Sequence, residues 1–322
     1  MNRSVLFALL AAALFGASTP FAKLLVGDVP PVLLAGLLYL GSGLGLTLIR
    51  LLRDRGWQAS GLTRAEWPWL LGAIFFGGVA GPVALMFGLM TTSGASASLL
   101  LNLESVLTAV IAWVVFKENA DKRIVLGMVA IVAGGLVLSW PGQSTRSFHW
   151  LGPLLVCVAC LCWAIDNNLT RKVSASDALF IAGSKGIVAG LVNTPLALVL
   201  GASLPSATTV FQTMTVGLLG YGFSLVMFVL ALRGLGTART GAYFSTAPFV
   251  GALIALLVLG EPAGIQFWIA LVLMGFGVWL HLTEKHEHEH EHGPLDYAHT
   301  HTRERVRHSH AHFPDVHHRH GH

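Results

Sequence analysis

The sequence predicts an all-α integral membrane protein: ten transmembrane helices arranged as two inverted five-helix repeats, followed by a disordered C-terminal tail. Three observations predict it. Of 322 residues, 54% are hydrophobic and only 11% charged, against about 25% charged in a soluble domain, so the chain lacks the polar residues to cover itself in water. Apolar runs of roughly 20 residues, the length that spans a hydrocarbon core of about 30 Å, recur along the chain. Residues 94–140 also align without a gap on residues 237–283.

The ten runs lie near 4–25, 31–50, 67–90, 96–116, 123–140, 150–170, 178–200, 209–232, 240–259 and 264–282. The first opens "MNRSVLFALLAAALFGASTP", with the basic start, apolar middle and small residues of a signal peptide. Further spans follow it, so it is read as the first membrane helix. The basic balance, pI about 9.2, invites a nucleic-acid partner, but its distribution points to a lipid bilayer. Arg50, Arg53, Arg55 and Arg64, then Lys117, Lys122 and Arg123, then Arg171 and Lys172, then Arg233 and Arg239 fall in loops on one side; the other side has little beyond Lys23 and Arg146. The positive-inside rule then places both termini in the cytoplasm of a multi-pass protein of the plasma (inner) membrane. Trp67, Trp69, Trp140, Trp150, Trp268 and Trp279 fall near span ends, as an aromatic belt requires.

The alignment pairs Ala95 with Ala238, Ala109 with Ala252, Ala112 with Ala255, Val115 with Val258, Glu118 with Glu261 and Gly134 with Gly277. Span 1 reads "FGASTPFAK" and span 6 "WAIDNNLTR", each with a cation eight positions after an aromatic. Gly41 and Gly45 in span 2 match Gly186 and Gly190 in span 7, small-xxx-small pairs that let helices approach closely. Five spans per copy is an odd number, so the second copy enters the membrane the other way round. Inverted repeats of this kind are the signature of secondary transporters. The units are 1–140, 147–282 and a tail, 283–322. The "GSGLG" of span 2 is no dinucleotide loop, since no strand precedes it.

The segments "FGLMTTSGASASLLLNLESVLTAVIAWVVFKE" and "ALRGLGTARTGAYFSTAPFVGALIALLVLGE" resemble the paired EamA domains of the drug/metabolite transporter superfamily. The resemblance covers about residues 4–282 and implies ten helices, a central cavity between the repeats and movement of small solutes. One departure concerns the family's Glu-Pro pair. The first copy reads Glu104-Ser105 and the second Ala247-Pro248, so a proline kink in span 4 is not expected.

Ionisable side chains within a span cost about 3 kcal/mol or more and face a cavity or a partner. Glu104, near the middle of span 4 with Asn102 close by, is a candidate ligand for a substrate cation or a coupled proton. Lys185, two to three turns into span 7, is its candidate ion-pair partner. Asp166, Asn167 and Asn168, beside Trp163, form a polar step toward the inner end of span 6, suited to the mouth of a pathway or to helix packing. Arg239, Tyr243 and Ser245 open span 9 and bound the same cavity. Lys23 and Arg171 are expected to snorkel to opposite interfaces, and Glu118 and Glu261 to close helices. Cys157, Cys160 and Cys162 share span 6, but Cys160 and Cys162 point to different sides at 100° per residue and read as small packing residues. No P-loop, zincin motif or Ser/His/Asp constellation supports an enzyme.

Of 15 histidines, 14 lie between His281 and His322. The interruptions by Glu, Arg, Ser and Thr are unlike a cloned tag, and the low apolar content predicts disorder. His286, His288, His290, His292, His299, His301, His308, His310, His312, His317, His318, His320 and His322 are candidate ligands for Ni, Zn, Co or Cu. The alternation H-x-H sets rings about 7 Å apart on an extended chain, close enough to share an ion. No cofactor is required. Three functions follow: a secondary transporter of a small solute, working as an exporter; a divalent-metal exporter whose tail senses the ion; and a non-transporting receptor or metal buffer. The reading allows a homodimer and excludes a nucleic-acid partner.

Overall fold

The computed structural model describes residues 3–116, 122–140, 150–283, 289–291 and 307–309, without the side chains of Ala112, residues 236–239 and the last two segments. Lys117, Glu118, Arg146, His149 and the tail histidines lie outside the described residues, save the backbone of His290 and His308. Among the described residues, ten helices are long and apolar enough to cross a bilayer. The first repeat holds α1 (Arg3–Leu25), α2 (Pro31–Asp54), α3 (Trp67–Thr91), α4 (Gly94–Val115) and α5 (Lys122–Ser139). The second holds α6 (Leu151–Val173), α7 (Ala178–Val199), α8 (Ala207–Leu235), α9 (Thr240–Val258) and α10 (Ile265–Leu282). At 1.5 Å per residue a 23-residue helix is about 34 Å long, enough to span. The remaining elements, β1 (Glu289–Glu291) and β2 (Arg307–Ser309), pair antiparallel. Two strands of three residues bury no face and build no core.

Local chemistry sets the helix starts. Pro30 and Pro31 open α2, where a proline's missing N–H is no loss. Ser93 caps α4, Asp177 caps α7 and Ser206 caps α8, each side chain accepting from a backbone N–H of the first turn. Phe228 and Phe244 have ring centroids 4.9 Å apart, whereas a straight helix would separate them by about 24 Å, so the chain reverses between α8 and α9.

Packing follows the repeat. Mates α2 and α7 cross at the centre, mates α5 and α10 cross at one side, α1 lies on α8 and α9, and α6 lies on α3 and α4. At the α2–α7 crossing a Cβ on Gly43 or Gly186 would run into the backbone of the other helix, so only glycine fits at either position. Gly41 and Gly45 instead face Met214 and Leu218 of α8. Large apolar residues such as Leu44, Leu48, Leu136, Leu257 and Val272 remain exposed on the outer surface, as lipid contact requires. The two ends differ. On the side away from the amino terminus, Gly94–Leu100 packs on Ala247–Val258 of α9; toward the amino-terminal side, Leu103–Phe116 packs on α6, with no comparable contact to the start of α9 among the described residues.

An ionic cluster ties the repeats together on the amino-terminal side. Asp177 accepts from Arg50 Nε at 2.8 Å and Arg53 Nη2 at 2.6 Å. Arg50, 4% exposed, also donates to Gln58 O at 2.8 Å. Burial alone would raise the Asp177 carboxyl, but the hydrogen bonds from Arg53, Arg50 and the Leu179 N–H outweigh it and hold it at about 2. A depressed carboxylate contributes stability that is full above its ordinary value near 4 and is lost as pH falls toward 2. Asp177→Asn should therefore destabilise the protein in detergent by about 1–2 kcal/mol at pH 7. The difference in thermal midpoint between the two proteins should shrink on acidification to pH 3.

Candidate functional site

The site begins with two irregularities of the backbone. α3 runs as a π-helix over Ile74–Ala80 and α8 over Leu218–Phe223, equivalent places in the two repeats. In a π-segment each carbonyl pairs with the N–H five residues on, as Phe76 O does with Gly81. For Gly77 that residue is Pro82, which has no N–H, so in hydrocarbon its oxygen must find another donor. Tyr39 OH donates to Gly77 O at 2.5 Å, Trp163 Nε1 to the same oxygen at 3.0 Å and Asn193 Nδ2 to Gly78 O at 3.3 Å. Three helices are thereby tied to one bulge.

α4 and α9 are broken at their middles as well. α4 divides into Gly94–Leu100 and Leu103–Phe116, and Ser245–Thr246 form a turn before Ala247. The absence of a kink expected from the missing proline of α4 is thus corrected. Asn102 Nδ2 donates to Leu99 O at 3.0 Å and Ser105 Oγ to Asn102 O at 2.7 Å; in α9, Thr246 Oγ1 donates to Tyr243 O at 2.7 Å. Side chains that compete for backbone groups interrupt the helix without help from proline.

The breaks leave a cavity of about 70 Å³ between the repeats, room for a handful of waters. One wall is ionic. Lys185, 2% exposed, donates to both Asp166 oxygens at 2.6 Å, and Thr170 Oγ1 donates to Asp166 Oδ1 at 2.8 Å. A Cβ on Gly77 would collide with the Asp166 carboxylate, so the glycine of the π-turn makes room for the pair. Glu104 Oε1 accepts from Asn167 Nδ2 at 2.8 Å. The facing wall is aromatic. Phe15 packs edge-on to Trp163 at 5.6 Å and Tyr221 at 5.9 Å, and lies 5.3 Å from Phe244, while Tyr39 and Tyr221 are 5.4 Å apart.

Five sequence candidates, Glu104, Trp163, Asp166, Asn167 and Lys185, line this one cavity. Their partnerships differ from expectation: Lys185 serves Asp166, not Glu104, because the one-turn step from Asp166 to Thr170 on α6 encloses the ammonium. Asn102 is 1% exposed and packs against Met274 of α10, so it shapes the break and does not face the cavity. Tyr243 packs on the cluster of Ala8, Ala231 and Leu235, and Ser245 donates to Gly241 O at 2.9 Å; Phe244 between them faces the cavity. Arg239 lies in a helical segment, but its side chain is outside the described residues. Asn168 anchors α6 to α4 through Thr108 O at 3.3 Å. Lys23 does not snorkel free; it donates to Leu89 O at 2.5 Å. Cys160 is buried with its Sγ against Leu100 O at 3.6 Å.

Sequence reasoning missed the aromatic wall, since phenylalanines in apolar runs look like core. Tyr39 and Tyr221 did carry a signal: each is a phenol in the middle of a span, and a buried hydroxyl there needs a partner or a cavity.

The Asp166–Lys185 pair gives a direct test. Lys185→Met or Asp166→Asn alone leaves one buried charge unmatched, a cost of about 3–5 kcal/mol. Thermal midpoints in detergent should fall for each single variant, and the double variant should recover most of the loss.

The comparisons agree with this architecture. The chain is 27% identical over 282 residues to an uncharacterized transporter of Methanothermobacter thermautotrophicus, covering 83% of this chain and 82% of that one. It is 26% identical over 277 residues to the uncharacterized transporter YyaM of Bacillus subtilis, covering 82% and 88%. A crystal structure superposes with a TM-score of 0.67 over 87% of this chain and 95% of the other, at 18% identity, which shows a shared fold. The EamA-like transporter family is matched over residues 2–140 and again over 150–283. Ten apolar helices in two such units make the chain a multi-pass membrane transporter, and it belongs to the EamA-like transporter family.

Proposed function

We propose that the chain is a secondary transporter of a small solute that works by alternating access and exports its substrate. The observation that carries this reading is Glu104: a carboxylate in mid-span, at a cavity between inverted repeats, whose hydrogen-bond partner is a neutral amide, Asn167. A carboxylate so placed must take a proton or a cationic group of the solute, and exchanging one for the other couples solute movement to the proton gradient. The amino-terminal side is assigned to the cytoplasm on the arginines at its helix ends and loops, among them Arg50 and Arg53 at the end of α2 and Arg233 at the end of α8.

The far side is then the exterior, and there α4 of the first repeat packs on α9 of the second. Glu261, from the second repeat, accepts from Gly94 N and Ala95 N at 2.7 Å each, so its carboxylate clamps the start of α4 in the first repeat. Lys23 lies beside this clamp. Closure outside with looser packing inside supports loading from the cytoplasm, as export requires. Among the described residues no group of three His, Cys, Asp or Glu could hold a metal ion, and the tail histidines lie outside them.

Two measurements test the reading. In reconstituted vesicles Glu104→Gln should lower flux at least about tenfold and flatten its pH dependence; normal flux of every identified substrate with unchanged pH dependence would sink the mechanism. Glu261→Gln weakens two charge-assisted hydrogen bonds worth about 1.5–3 kcal/mol each. A cysteine placed at Tyr221 in that variant should react faster with a membrane-impermeant thiol reagent added outside, and an unaltered rate would remove the clamp from the mechanism.

A further inference from the structure

We propose that the cavity between the repeats takes a small organic monocation, with its ammonium group at Glu104 and a compact apolar body against the aromatic wall. The inference deepens the transport reading and rests on it for the site. Charge comes first. The cavity holds two carboxylates and one ammonium, and the Lys185 ammonium is bound by both oxygens of Asp166 at 2.6 Å. Lys185 is also the cation within range of Glu104, so the carboxylate at Asn167 has no positive charge of its own among the described residues. A lone carboxylate away from water is costly, and a cationic ligand removes that cost.

The shape of the opposite wall comes second. Phe228, Phe244, Phe15 and Tyr221 form an unbroken run of ring contacts, continued by Tyr39 at Tyr221 and joined by Trp163 at Phe15. Such rings present negative faces that attract a desolvated cation and also cover an apolar body. A third observation is independent of both. Tyr221 lines the cavity, is 6% exposed, and its hydroxyl has the Ser18 side chain as its polar neighbour. The Ser18 hydroxyl gives its own proton to Phe15 O at 2.6 Å, so it does not occupy the Tyr221 oxygen as a donor. A phenolic oxygen can accept from an ammonium N–H. An anion, by contrast, would meet Glu104 and Asp166 and find the Lys185 ammonium already engaged, and a neutral alcohol would leave Glu104 without a counter-charge.

Isobutylamine, isobutanol and 3-methylbutanoate share one compact apolar body and carry a cation, no charge and an anion. Their binding to the full-length protein in detergent is measured by calorimetry, and their flux in vesicles by uptake. The amine should bind about tenfold or more tightly than either analogue, and Glu104→Gln should bring it to the level of the alcohol. A ratio near one on the unaltered chain overturns the inference by itself, whether or not the variant folds. So does an amine preference that survives in a folded Glu104→Gln protein. Flux of the alcohol or the acid without the amine would leave the transport reading standing and remove the cation. Amine binding that depends on Glu104, with no flux of any solute, would keep the site and remove the transport reading.

Discussion

In hydrocarbon a backbone carbonyl that leaves the helical ladder must find a donor, since water cannot supply one and each unmet group costs several kcal/mol. This single requirement organises the centre of the protein around Gly77. Its freed oxygen is held by Tyr39 of α2, within the same repeat, and by Trp163 of α6, which joins the first repeat to the second. Because both donors are aromatic, satisfying the carbonyl also lays rings along the cavity. Because the residue is glycine, the space a side chain would fill is open to the Asp166 carboxylate. A polar hollow in lipid thus follows from the repair of one irregular turn.

The repeats use the same device for different ends. Both carry a π-segment in their third helix and a break in their fourth. In the first repeat the π-turn backs the ionic wall, where Asp166, Thr170 and Lys185 satisfy one another. In the second it places Tyr221 on the aromatic wall. Duplication supplies two matching helix interruptions, and substitution in each copy gives the cavity two unlike faces. The interruptions of α4 and α9 differ as well: Asn102 and Ser105 break one, Thr246 and Pro248 the other.

The fold was legible because its signals are long and redundant. Twenty-residue apolar runs, arginine-bearing loops and an ungapped internal alignment each report the same ten-helix arrangement. The site was legible only in part. Glu104, Asp166, Asn167 and Lys185 stand out as expensive residues in a membrane, yet which acid holds the lysine depends on helix rotation and on the Thr170 hydroxyl, neither of which span-level patterns encode. The break of α4 was hidden for a related reason. Asn102 and Ser105 are compatible with a continuous helix, and only their hydrogen bonds to Leu99 O and Asn102 O show that they disrupt it. The aromatic wall was hidden because Phe15, Phe228 and Phe244 satisfy the same apolar pattern whether they face lipid, core or cavity.

The energetics of the far-side clamp bear on whether such a hollow can exchange access at all. Glu261 contributes two charge-assisted hydrogen bonds, together about 3–6 kcal/mol, and moving a two-state equilibrium from 1:99 to 99:1 takes about 5.5 kcal/mol. One carboxylate is therefore of the size needed to hold the far side shut, and still small enough for differential binding in the cavity to oppose it. The ionic cluster around Asp177 joins the repeats on the other face through α2 and α7, the pair that crosses at Gly43 and Gly186 with no side chain between the backbones. A central crossing that tight suits a pivot better than a sliding surface, because translation would drive each backbone into the other. The alternating access proposed above would then be a rocking of α1, α4, α6 and α9 about that fixed crossing, with the breaks in α4 and α9 separating the movement of each half-helix from the other.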